Sequence, residues 1–97
     1  MAERLSDIAI QRGLGNLPGW SRRADVITKT YQFADFMAGI DFVVAVAKAA
    51  DAADHHPDID IRWRNVIVFL TTHEAGGVTE LDLALAREIE DAAASAS

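Results

Sequence analysis

Residues 59–72, IDIRWRNVIVFLTT, decide the fold. In the first half Ile59, Ile61 and Trp63 alternate with charged Asp60, Arg62 and Arg64, the period-two pattern of a half-buried strand. In the second half residues 66–70 are apolar throughout, as expected of a central strand. Asn65 is the only turn-former between the two halves. A two-residue turn at Arg64 and Asn65 is therefore expected. That register sets Ile61 opposite Val68 and His56 opposite His73, with facing Cβ atoms about 4.5–5.5 Å apart.

Upstream, residues 34–53 form the clearest helix. Phe36, Met37, Ile40, Val43, Val44 and Ala47 recur at helical spacing and give it a face for the sheet. A second stripe, Phe42, Val46 and Ala49, lies beside the first. A helix on one sheet needs only one stripe, so the extra width predicts a contact with another subunit. Before it, Trp20 to Phe33 reads as a short hairpin with a turn near residues 23–25. Ile27, Tyr31 and Phe33 share its buried parity. Ser6 can cap a first helix over about residues 7–14, with a weak apolar face of Leu5, Ile8 and Ile10. Downstream, Gly76 and Gly77 break the chain. Thr79 and Asp82 then match a capping box for a last helix to about Ala94, buried through Leu81, Leu85 and Ile89. The order α-ββ-α-ββ-α predicts an α+β fold: one domain over residues 1–97, with a four-stranded antiparallel sheet and helices packed on one face.

Composition narrows the function. The chain has 97 residues, no Cys, nine Lys and Arg against fifteen Asp and Glu, and a net charge of −6. Without Cys there are no disulfides and no thiolate metal sites. The acidic balance argues against nucleic acid or an anionic membrane as partner. No apolar run approaches the ~20 residues of a membrane span, and residues 1–7 do not read as a signal peptide. A cytoplasmic domain is the expectation.

The three histidines, His55, His56 and His73, gather at the open end of the second hairpin. Four acids, Asp51, Asp54, Asp58 and Asp60, surround the His pair in sequence, and Asp82 can reach back from the last helix. Three readings stand. The histidines bind zinc, although neighbours on an extended chain point to opposite sides. They are surface or capping residues without chemistry. Or they form a metal-free acid–base cluster, imidazole being the side chain that ordinarily titrates near neutral pH. Each candidate has a plainer role too. Trp63 suits a core or sheet face, Trp20 the core or a pocket wall, Asp82 a helix cap, Thr71 and Thr72 a strand, and Asp51 a helix end.

The pattern DAADHHP (51–57), Trp63, TTHE (71–74), GVT (77–79) and Asp82 resembles the pterin-4a-carbinolamine dehydratases. The resemblance extends upstream through LPGW (17–20) and YQFADF (31–36) and covers nearly the whole chain. It implies dehydration of 4a-hydroxytetrahydropterin to quinonoid dihydropterin, which recycles the tetrahydrobiopterin cofactor of aromatic amino acid hydroxylases. It implies no metal and no cofactor. By the resemblance His55 and His73 are the acid–base pair and His56 holds the pterin. Asp51 and Asp82 orient the imidazoles, the Thr71 and Thr72 backbone bonds the pterin ring, and Trp20 and Ile59 wall it. Ile59 stands where many members have an aromatic, so stacking there is lost. Members form homodimers or homotetramers through sheet edges or the helix face. The competing expectation is a non-catalytic binding, assembly or dimerisation factor on the same fold.

Overall fold

In the computed structural model, which describes residues 2–96, helix α1 (Asp7–Leu14) starts on Ser6, whose hydroxyl accepts the Ala9 amide at 3.2 Å. Strands β1 (Ser21–Arg23) and β2 (Val26–Gln32) form the first hairpin around Ala24 and Asp25. Helix α2 (Phe36–Ala53) is capped by Asp35, whose carboxylate accepts the Ala38 amide at 2.8 Å. Strands β3 (Asp58–Arg62) and β4 (Asn65–Leu70) form the second hairpin. A 3₁₀ turn over His73–Ala75 leads to helix α3 (Glu80–Ala96).

The sheet order is β1-β2-β4-β3, every pair antiparallel. β4, apolar from Val66 to Leu70, is thus central, as its sequence required. Val66, Val68 and Leu70 are fully buried and pair with Tyr31, Lys29 and Ile27 on β2. Above this face lie Phe42, Val46 and Ala50 of α2 and Leu83, Leu85, Ala86 and Ile89 of α3, all buried. Burying each large apolar side chain stabilises the fold by about 1.5–3 kcal/mol. Helix α1 adds Ile10 to the same core and meets α3 at Gly13, where a Cβ would lie 2.6 Å from the nearest Leu83 methyl carbon.

Four expectations are corrected. The second turn falls at Trp63 and Arg64, and Ile61 pairs with Val66. Asn65 is drawn into β4, where it pairs with both Gln32 and Arg62, so the ladder claims the turn-forming residue. Trp63 adopts φ 54, which such turns need at their first position, and is 71% exposed. It belongs neither to the core nor to a sheet face; the Arg64 guanidinium covers its ring at 5.2 Å. The shift is two residues, so parity is kept and Ile59 still faces the core beside Val68. The stripes of α2 exchange roles. Phe42 and Val46, joined by Gly39 and Ala50, face the sheet, while Phe36, Met37 and Val44 are exposed. Finally, Leu81 and Ile8 are exposed. Leu81 precedes the buried arc of α3, which begins at Asp82 and Leu83.

Candidate active site

The site begins where α2 ends. Asp54 takes the left-handed conformation, φ 50 and ψ 42, and its amide closes the last turn onto Ala50 and Asp51. The His55 amide bonds the Ala50 carbonyl at 3.1 Å. This left-handed exit carries His55 off the helix axis toward α3.

The first turn of α3 supplies its partner. Thr79 is the N-cap: its hydroxyl accepts the Leu81 amide at 3.2 Å, and the Asp82 carboxylate accepts the Thr79 amide at 2.8 Å. The expected capping box is therefore present. Asp82 does more than cap. Its Oδ1 lies 2.6 Å from His55 Nε2, and its Oδ2 accepts the Thr72 hydroxyl at 2.8 Å. The Thr72 and Thr79 hydroxyls are 2.8 Å apart. Asp82 and Thr79 are 0% exposed, and Thr72 is also buried. A carboxylate without solvent is tolerable here because three donors and the positive end of α3 meet it.

The other pair is different in kind. His56 Nε2 lies 2.9 Å from Asp51 Oδ1, but the two side chains are 61% and 84% exposed. His73 opens the 3₁₀ turn and is exposed. Its backbone is held by a bridge: the Thr72 amide bonds the Gly77 carbonyl at 3.0 Å, and the Gly77 amide returns to the Thr72 carbonyl at 3.3 Å. The expected facing of His56 and His73 does not form, because β3–β4 pairing stops at Asp58 and Phe69. Asp82 links the two segments instead, holding His55 directly and Thr72, the residue before His73. Among the described residues, no group of three His, Asp or Glu side chains is placed to hold a metal ion.

The remaining site candidates divide. Ile59 packs at the margin of the core. Thr71 gives its hydroxyl proton to the Asp25 carbonyl at 2.6 Å. The Thr72 backbone pairs with Gly77 through both its amide and its carbonyl, and its hydroxyl is turned to Asp82. Trp20 is not brought to the histidines. It is buried, and its indole donates to Glu90 at 3.1 Å, two turns along α3 from Asp82, roughly 12 Å.

Glu90 is the centre of a second polar cluster that the sequence pattern did not reveal. Lys29 Nζ and the Tyr31 hydroxyl also donate to its Oε1, each at 2.5 Å. Burial pushes the Glu90 carboxyl up, but the bonds from Lys29 and Tyr31, the Lys29 charge and the indole N–H outweigh it and hold the carboxyl below its ordinary value. Burial first, and then the bond to Glu90, raises the Tyr31 phenol well above its ordinary range. The only sequence signal for this cluster was Lys29 on the buried parity of β2. A groove of about 390 Å³ on the open sheet face, lined by Thr28, Thr30, Ile67 and Phe69 among others, contains none of the predicted site residues.

A small α+β domain with an imidazole held on a buried carboxylate at a helix start, beside a second, exposed imidazole, is equipped to exchange protons. The comparisons with known proteins give that class a family. The sequence model of the pterin 4 alpha carbinolamine dehydratases matches residues 3–92, and the chain belongs to that family. A protein of Roseiflexus sp. (strain RS-1) named for pterin-4-alpha-carbinolamine dehydratase is 55% identical over 91 residues, covering 94% of this chain and 98% of its own length. A likewise named protein of Thermomicrobium roseum is 49% identical over 90 residues, covering 93% and 97%. A crystal structure described as a transcriptional coactivator/pterin dehydratase from Brucella melitensis superposes with a TM-score of 0.91 at 34% identity, covering 94% of this chain and 99% of the other. A pterin dehydratase-like protein described as a RuBisCO assembly factor in the alpha-carboxysome superposes at 0.63 and 20% identity over 76% of this chain and 86% of its own, a likeness of fold alone. Among the described residues, no helix is long and apolar enough to cross a membrane.

Proposed function

We propose that this chain dehydrates 4a-hydroxytetrahydropterins to quinonoid dihydropterins, with His55 and His73 as the acid–base pair. The bonds balance as follows. The C4a–O bond breaks, and the oxygen leaves with the electron pair, takes one proton and departs as water. The N5–H proton passes to a base, and its electron pair closes the C4a=N5 double bond. One proton is given and one taken, and solvent resets the imidazoles. His55 suits the base: Asp82 fixes its ring and faces the positive charge that proton uptake creates. His73, exposed and free of a side-chain partner among the described residues, suits the acid. His56, set by Asp51, contacts the pterin, and Ile59 offers an apolar wall.

The observation that carries this reading is the 2.6 Å contact of His55 with a fully buried carboxylate. The family and its named relatives supply the substrate class. The reading also includes recycling of a tetrahydropterin for an aromatic amino acid hydroxylase, and self-association through the exposed stripe of α2. Dehydration of 4a-hydroxytetrahydropterin, followed by ultraviolet absorbance, tests it. The wild type should be fast, and His73→Ala should lose about 10²–10⁴ in kcat. A wild type no faster than the uncatalysed reaction would sink the enzyme reading and leave the binding or assembly factor.

A further inference from the structure

We propose that the Thr72 hydroxyl is a positioning group that fixes the working nitrogen of His55. It keeps Asp82 an acceptor on both oxygens, so the neutral imidazole carries its proton on Nε2 and exchanges protons with substrate through Nδ1. The proposal rests on the dehydratase reading only for what Nδ1 does; the tautomer stands on the geometry.

Each hydroxyl has one proton to place. Thr79 Oγ1 accepts the Leu81 amide and lies 2.8 Å from Thr72 Oγ1, which lies 2.8 Å from Asp82 Oδ2. If Thr72 gave its proton to Thr79, the Thr79 proton would have no acceptor, and the Thr72 lone pairs would face the carboxylate. No water can repair this, because all three residues are buried. The arrangement that satisfies every group is Thr79 donating to Thr72 and Thr72 donating to Asp82.

Oδ2 then accepts twice, from Thr72 and from the Thr79 amide. Two donors at Oδ2 and the N-terminal end of α3 are the surroundings that suit a carboxylate. A carboxylate only accepts, so the group 2.6 Å from Oδ1 must donate, and that group is His55 Nε2. His55 Nδ1 has no protein partner among the described residues. Nor does any buried side-chain nitrogen or oxygen there lack one. Nδ1 therefore reaches solvent, although the His55 side chain is only 11% exposed. The outward nitrogen is thus the unprotonated one, as proton uptake from substrate demands. The shape is that of a carboxylate–imidazole pair in which the carboxylate sets the tautomer without itself taking the proton. Thr72 adds a further link behind the carboxylate.

Long-range ¹H–¹⁵N spectra of imidazole-labelled protein near pH 9, above the ordinary imidazole titration, read the tautomer directly. Wild-type His55 should show a protonated Nε2 and a pyridine-like Nδ1. Thr72→Val keeps the shape and removes the donor. It should move the His55 signals toward a mixture of tautomers and lower kcat about 10- to 100-fold with little change in KM. Thr72→Ser should restore both. A wild-type His55 protonated on Nδ1 overturns the proposal, even if Thr72→Val does not fold. So does a folded Thr72→Val with wild-type His55 shifts and kcat within twofold, which would make Thr72 a packing residue. If the wild type does not dehydrate the pterin while the spectra agree, the substrate assignment fails and the tautomer stands.

Discussion

Asp82 and Asp51 each hold an imidazole, but removing them should have unlike consequences. Asp82 has no solvent to replace its bonds, and its loss strands the Thr72 hydroxyl, the Thr79 amide and His55 together. Asp82→Asn keeps the volume but can present an N–H to His55, inverting the tautomer. A kcat loss of about 10²–10⁴ is expected in the pterin assay. A cost of about 1–3 kcal/mol is also expected by denaturant titration. Asp51→Ala removes a bond between exposed side chains. Stability should stay within about 0.5 kcal/mol of wild type, and the effect should fall on KM. At this scale the sequence told much, because His55, Asp82 and the capping box are a pattern of residue types at fixed spacing. Thr72 was legible as a strand former and, by the resemblance, for its backbone, but not for its hydroxyl. Its hydroxyl acquires a role when the Thr72–Gly77 bridge sets the segment after β4 against the first turn of α3, a tertiary contact that no local pattern carries.

Among the elements, α2 shows why a reading by periodicity stops where it does. Both of its stripes are apolar, so hydrophobicity does not rank them. What ranks them is Gly39: a Cβ there would stand 3.4 Å from the nearer Val66 methyl carbon and 3.6 Å from the Phe33 ring, so α2 lies close on the sheet along the stripe containing the glycine. The broader side chains Phe36, Met37 and Val44 are left facing outward. If a second copy covers them, Met37→Glu with Val44→Glu should leave the far-ultraviolet spectrum and the unfolding slope intact while sedimentation shows a smaller species. An unchanged sedimentation coefficient would remove α2 as the interface. The C-terminal end of α2 makes another test. Asp54 bears the left-handed conformation that glycine adopts without strain. Asp54→Gly should raise stability by about 0.5–1 kcal/mol, a few degrees in Tm, with His55 undisturbed. The hairpin turn missed by one residue has the same lesson. Asn65 is the better turn-former, but pairing on both sides of β4 outweighs a turn preference.

For the whole molecule, α3 acts as a beam between two polar anchors. Its first turn carries Asp82 and hence His55; two turns on, Glu90 is tied to Trp20 before β1 and to Lys29 and Tyr31 on β2. The second anchor fixes how α3 lies on the sheet, so it sets the placement of the first. It should also govern how stability responds to pH. The folded state lowers the Glu90 carboxyl from its ordinary 4.5, so the unfolded chain takes up this proton first. The contribution of Glu90 is therefore whole above about pH 4.5 and is lost as pH falls through the lower, folded value. Tyr31 is shifted the other way, from an ordinary 10.0 upward. Its contribution is whole below about pH 10 and is lost above it, where the unfolded phenol ionises and the folded one does not. Urea midpoints measured across pH for wild type, Glu90→Gln and Tyr31→Phe separate the two. At pH 7, Glu90→Gln should be less stable by about 1–3 kcal/mol, since it gives up the charge in three hydrogen bonds. That gap should close as the wild type is taken below pH 4.5. Tyr31→Phe should lack the part of the alkaline decline that begins near pH 10. A gap between wild type and Glu90→Gln that stays constant from pH 7 to pH 3 would show that Glu90 contributes its shape and not its charge, and α3 would then be seated by packing alone.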